Sequence, residues 1–147
     1  MSFRLDLSLT PELTIQYWGQ PFIATGNYSG FKFVENATAE EFPDRFHKYG
    51  QDEIFYFPER NEYEVAEVSG NLSYSFENPD FNIREFLSNL VFRWEYRPGS
   101  FIYLVWSQSR SGHDPAGIFH LRNDFRGIWD IHPGNVALLK VSYRIGR

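Results

Sequence analysis

The side chains best suited to chemistry crowd into one polar stretch. His113, Asp114, His120, Asp124, Asp130 and His132 lie within twenty residues, and imidazole with carboxylate is the donor set of zinc and related metals. Their spacings match no metal-binding motif. Gly112, Pro115, Gly117, Gly127 and Pro133 punctuate the same stretch, which marks it as loop, where polar residues are ordinary. Ser107, Ser109 and Ser111 precede His113, but none sits in the Gly-x-Ser-x-Gly turn that exposes a nucleophile. No catalytic residue, metal or cofactor is expected, and the chain does not read as an enzyme.

Two other sets of side chains could form sites. Trp18, Trp94, Trp106 and Trp129, among 9 Tyr and 15 Phe, could stack on sugar rings. Packing in a core or in the aromatic girdle of a membrane barrel is the weightier reading. Arg4, Asp6, Arg93, Glu95, Arg97, Lys140 and Arg144 recur within apolar stretches. Facing an enclosed aqueous lumen, they would either pair with one another or select anionic solutes. Their mixed signs favour pairing.

The elements that carry those charges read as strands. Leu90, Phe92, Trp94 and Tyr96 alternate with Val91, Arg93, Glu95 and Arg97; Pro98-Gly99-Ser100 follows, and then a second apolar run to Trp106. Period-two alternation on both sides of a Pro-Gly turn predicts an antiparallel hairpin. Phe3, Leu5, Leu7 and Leu9 repeat the pattern before Thr10-Pro11-Glu12, and Leu13, Ile15 and Tyr17 repeat it afterwards. Near the end, Ala137, Leu139, Val141, Tyr143 and Ile145 share one face. The expected strands are 3–9, 13–25, 87–97, 101–109 and 135–145. Each approaches the roughly 9–11 residues that a tilted strand needs to cross a bilayer.

Sidedness follows from cost. A lipid-facing Arg near the bilayer midplane costs about 2–4 kcal/mol in a barrel. Arg93 and Arg97 together would cost about 4–8 kcal/mol, comparable to the whole stability of a small domain. The charged face is therefore expected to line the lumen. The expected lipid-facing residues are Leu5, Leu7, Phe92, Trp94, Tyr96, Leu139, Val141 and Tyr143.

Composition fits this picture. At 147 residues the chain has the size of one domain, and 19% aromatic content favours strands. A net charge of −5 argues against a nucleic-acid partner. There is no cysteine, hence no disulfide. No apolar run approaches the length of a membrane-spanning helix, and a mean hydropathy of −0.44 suits a barrel with a polar lumen and polar loops.

Two long connections separate the hairpins. Residues 27–86 are punctuated by Gly30, Pro43, Gly50, Pro58 and Pro79 and made acidic by Glu64, Glu67, Glu77 and Asp80. A short helical turn is expected within 40–48, and short strands at 54–57 and 72–76. Residues 107–134 form the second connection. Connections in the order short, long, short, long match the periplasmic turns and external loops of outer-membrane barrels.

The phrases PFIATGNYSGF, NPDFNIREFLSNLVFRWEYRPGS, YLVWSQSR and NVALLKVSY resemble the C-terminal region of bacterial outer-membrane proteins described as carbohydrate-binding family-nine domain-containing. That family joins a sugar-binding-like β-sandwich to a long barrel-like tail, and the resemblance covers the tail alone. It implies an outer-membrane location and a link to glycan handling, and it carries over no sugar-binding residue.

The expected fold is thus all-β, an antiparallel up-and-down β-barrel of outer-membrane type or a C-terminal segment of one, with a transport, pore or scaffold role. Five strands fall short of the eight in the smallest bacterial barrels. Completion is expected from strands within the two connections, from upstream chain or from other chains, with outer-membrane lipid as the partner. The competing expectation is a soluble β-barrel or sandwich that binds a small apolar or carbohydrate ligand, since a half-buried soluble sheet alternates in the same way.

Overall fold

A computed structural model describes residues 1–66 and 72–146. Glu67, counted among the acids of the first connection, lies outside the described residues. The fold is mostly β and antiparallel throughout, as the alternation predicts. The chain divides into two compact units, one built from 1–25, 82–114 and 118–147, the other from 26–81 and 115–117.

The first unit is a five-stranded sheet. Its strands are β1 (Phe3–Thr10), β2 (Leu13–Gly26), β8 (Phe81–Arg97), β9 (Ser100–Asp114) and β10 (Gly134–Ser142), in the spatial order β1-β2-β8-β9-β10. Spatial order follows chain order, so the sheet is an up-and-down meander with β1 and β10 at its edges. Both tight turns lie at one end of it, where the Glu95 N–H donates to the Glu12 carbonyl at 2.8 Å. At the Pro98 turn a bulge falls between Glu95 and Arg97. Gly99 takes a positive φ of 77°, a conformation that favours glycine, and its N–H donates to the Glu95 carboxylate at 2.7 Å. Pro21 sits within β2, but β1 reaches only to Gly19, so the missing N–H falls beyond that ladder.

Three strand limits differ from the sequence expectation. β8 begins at Phe81 rather than at residue 87, and β9 continues to Asp114, so this hairpin stays paired from Asn82↔Asp114 to Arg97↔Ser100. β10 stops at Ser142. The connection 107–134 is not simply loop: it contains α1 (Leu121–Asp130). That helix lies against the extended end of the hairpin and buries Asp124 and Ile128 there. The extra strand length exists because α1 covers it: Phe86, 4% exposed, packs on Trp129 at 5.0 Å between ring centres.

The second unit holds the short elements expected within 27–86. A hairpin of β3 (Lys32–Val34) and β4 (Phe46–Lys48) is joined through a 3-10 turn at Phe42–Arg45. A three-stranded sheet combines β5 (Ile54–Phe57), β6 (Glu62–Ala66) and β7 (Leu72–Glu77). Aromatic rings form its core. Phe31 meets Tyr63 and Phe76 at 4.8 and 5.2 Å, and Tyr63 stacks on Phe76. The Glu53 carboxylate takes the Gly50 N–H at 2.7 Å and His47 Nε2 at 2.9 Å, contacts that hold it below the usual carboxylate range.

Burial, then the hydrogen bond to the Tyr74 hydroxyl, push Tyr49 up to about 12. A raised tyrosine stabilises the fold fully below its ordinary value of 10.0, and that contribution disappears as pH rises through about 12. The expected result is a tyrosinate absorbance titration whose last component vanishes in Tyr49→Phe. An unchanged high-pH limb in that variant would contradict the assignment.

Candidate functional site: the two faces of the five-stranded sheet

Register places the side chains. In an antiparallel sheet, residues paired across strands share a face, and neighbours along a strand alternate. Phe92 pairs with Leu104 and Leu104 with Leu139; Trp94 pairs with Ile102 and Ile102 with Val141. Leu90, Trp106 and Ala137 form the third such row. On the other hairpin, Leu5 pairs with Tyr17 and Leu7 with Ile15. No charged residue occurs in these rows.

The opposite face carries the charges. Arg93 pairs with Tyr103 and Tyr103 with Lys140, Glu95 pairs with Phe101, and Asp6 pairs with Gln16. A cleft of about 320 Å³ brings the polar faces of the two hairpins together, with Asp6, Ser8, Thr14, Gln16, Val91, Arg93 and Tyr103 in its lining beside Leu7 and Ile15 of the neighbouring rows. The charges are held locally. Arg4 Nε donates to Asp6 at 2.9 Å, Arg93 lies over the Phe101 ring at 4.7 Å, and Lys140 lies 5.9 Å from the Tyr103 ring centre. Val91, Val105 and Leu138 share this face, so it is mixed rather than wholly polar.

Of the expected apolar set, Leu5, Leu7, Phe92, Trp94, Leu139 and Val141 fall on one face. Tyr96 lies in the bulge, with its ring 6.2 Å from Trp94 and its hydroxyl donating to the Ser142 carbonyl at 3.4 Å. Tyr143 lies just past the end of β10 and is exposed. Of the expected polar set, Asp6, Arg93, Glu95 and Lys140 fall on the other face, with Arg4 beside Asp6. The bulge interrupts alternation before Arg97, which pairs with Ser100. Arg144 lies beyond β10, its N–H donating to Ser100 Oγ at 3.0 Å and its side chain lying against Gly99.

The apolar face is open. Leu139 and Val141 are 66% and 61% exposed, and Leu5, Trp94 and Trp106 are also exposed. Among the described residues the buried apolar side chains are Val65, Phe86 and Ile128, and none of these belongs to the rows just named. The apolar rows are bounded at both ends. At one margin the Trp106 Nε1–H and Gln108 Nε2 both donate to Asn135 Oδ1 at 3.1 Å. At the other stand Trp94 and Tyr96. From Ser88 to Tyr96 is about 26 Å of extended strand, which at the usual tilt of a barrel strand projects to about 19–22 Å, somewhat short of the roughly 25 Å apolar band of a membrane barrel.

The histidines and aspartates of 113–132 do not form a common site. Asp124, 5% exposed, accepts from Asn82 Nδ2 at 3.0 Å and from the His120 N–H at 2.8 Å, and lies 3.9 Å from Arg84 Nη1. Arg84 also lies 3.6 Å from Asp114. Among the described residues no three His, Cys, Asp or Glu side chains converge as metal ligands would. Asn82 and Arg84, which anchor this network, were not singled out by sequence. Their place in a strand beside a helix is the signal that was needed.

Compared with known proteins, the chain matches no family model, no curated protein sequence and no solved structure.

Proposed function

We propose that the five-stranded sheet is a stretch of the wall of a transmembrane β-barrel of outer-membrane type, serving as a pore, transport or scaffold element. The observation that carries this reading is a charge-free, aromatic-bordered band of three rows left open on one face of a sheet whose two edge strands, among the described residues, are also open. Soluble monomers seldom expose contiguous apolar patches beyond a few hundred Å². Hydrocarbon on one side and enclosed water on the other accounts for both faces together. In lipid an unpaired strand edge leaves backbone groups unsatisfied, so β1 and β10 pair with further strands, from other chains or from further chain. The cleft beside Asp6, Gln16 and Arg93 then opens on the lumen.

Cell-envelope fractionation tests the placement. The protein is expected in the membrane pellet, released by detergent and showing heat-modifiable gel mobility; recovery in the soluble fraction without detergent would refute it. A finer test uses the absence of native cysteine. Single cysteines at positions 136 to 141, labelled with a polarity-sensitive probe in bilayers, are expected to alternate. Positions 137, 139 and 141 should report hydrocarbon, and positions 136, 138 and 140 an aqueous setting. A smooth or absent period contradicts the reading.

A further inference from the structure

The helix α1 has three faces. Asp124 and Ile128 point to the sheet and are buried. At 3.6 residues per turn, Leu121, Phe125 and Trp129 form a ridge that borders Ile128 on the outward side, and all three are exposed, Leu121 at 65%. Trp129 meets the Phe86 ring and still stays half open, and Leu121 and Phe125 are exposed where a soluble helix leaving its core carries polar side chains. Arg122 and Arg126 come next around the helix, also exposed.

Position says what the partner is. The helix rests on the apolar face of the sheet: Phe86, which Trp129 touches, lies two alternation steps along β8 from Leu90 on that same face. A single polar row, Ser88, Gln108 and Asn135, intervenes. The ridge therefore continues the apolar band just past its polar margin, where a bilayer has its headgroups. Trp129 also takes a cation–π contact from Arg110 at 5.3 Å, and Arg110 Nη1 donates to the Trp129 and Ile131 carbonyls, which fixes the helix end in place. The charge is complementary as well. The helix's acid Asp124 is buried beside Arg84, which leaves Arg122 and Arg126 against Asp130 on its outer side.

We propose that α1 is an interfacial helix that docks on the phospholipid headgroup layer, with Leu121, Phe125 and Trp129 in the upper acyl region and Arg122 and Arg126 on lipid phosphates. Such helices lie in the interface plane, apolar side down, and anionic lipid strengthens their hold. The inference rests on the barrel reading above and deepens it.

The test uses the protein reconstituted in phosphatidylcholine vesicles with or without phosphatidylglycerol. Single-cysteine variants Phe125→Cys, Asn123→Cys and Leu139→Cys each carry an environment-sensitive fluorophore. The label at 125 is expected to be shielded several-fold from aqueous iodide and quenched by headgroup-proximal lipid quenchers, while the label at 123 stays open to iodide. Adding Arg122→Glu and Arg126→Glu is expected to return the label at 125 toward water in the anionic vesicles. A label at 125 open to water while the label at 139 reports hydrocarbon would overturn this inference alone. A label at 139 open to water would overturn the barrel reading itself. Shielding at 125 that follows protein density rather than lipid composition would give the ridge to a second copy, and overturns the lipid assignment.

Discussion

Leu139→Arg is expected to destabilise the bilayer-inserted protein by about 2–4 kcal/mol, while Leu138→Arg is expected to change it by less than about 0.5 kcal/mol. The two leucines are neighbours on the same edge strand and are similarly exposed, at 66% and 55%. They differ in face: Leu139 shares a row with Leu104 and Phe92, and Leu138 pairs with Val105 on the side of Arg93 and Lys140. In water both sites are exposed surface, where such a change is nearly neutral. In hydrocarbon only the first buries a charge. The Leu139 row is the central one of three, so the penalty is near its maximum there and smaller for Val141→Arg, one row nearer the margin. Guanidinium unfolding of vesicle-reconstituted protein, followed by tryptophan fluorescence, measures the differences. Equal small effects at 138 and 139 would mean that bulk water meets both faces.

The same contrast explains what was legible in the sequence. Where one face lacks charge, as in Leu5 and Leu7 or Phe92 and Trp94, alternation marked the strands and their sides. The first half of β8 was hidden because its partner on that face is the helix α1. Asn82, Arg84 and Phe86 occupy the apolar side, and a mixed polar row of that kind reads as loop until the helix that satisfies it is known. That helix was itself obscured by Gly127 and by a density of Asn, Asp and Arg typical of loops. Its signal was present, since Leu121, Phe125, Ile128 and Trp129 follow the i, i+4, i+7, i+8 spacing of an amphipathic helix. In the second unit, β5 and β7 were visible as short alternations, whereas β6, with Glu62, Tyr63 and Glu64, looked like acidic connection.

Local polar anchoring, rather than a large apolar core, therefore holds α1 to the sheet, and Asp124→Ala should release it at a cost of about 2–4 kcal/mol. The carboxylate is buried and serves three groups at once: Asn82 Nδ2, the His120 N–H and, at 3.9 Å, the Arg84 guanidinium. Removing it strands the His120 donor, and each buried unsatisfied donor costs about 1–3 kcal/mol. Arg84 keeps Asp114 at 3.6 Å and Asn82 keeps the Ile118 carbonyl at 2.9 Å, which limits the loss to less than that of an isolated buried charge. Asp124→Asn preserves the shape and one acceptor but not the charge, so its cost should fall between wild type and alanine. Hydrogen exchange is the sensitive readout. Amides of 121–130 are expected to lose protection in Asp124→Ala, while the amides of β9 and β10 between Phe101 and Ser107 and between Val136 and Val141 keep theirs. Unaltered helix protection would show that the packing of Ile128 and Trp129 on Phe86 suffices by itself, and uniform loss across the sheet would show that helix and sheet unfold as one unit.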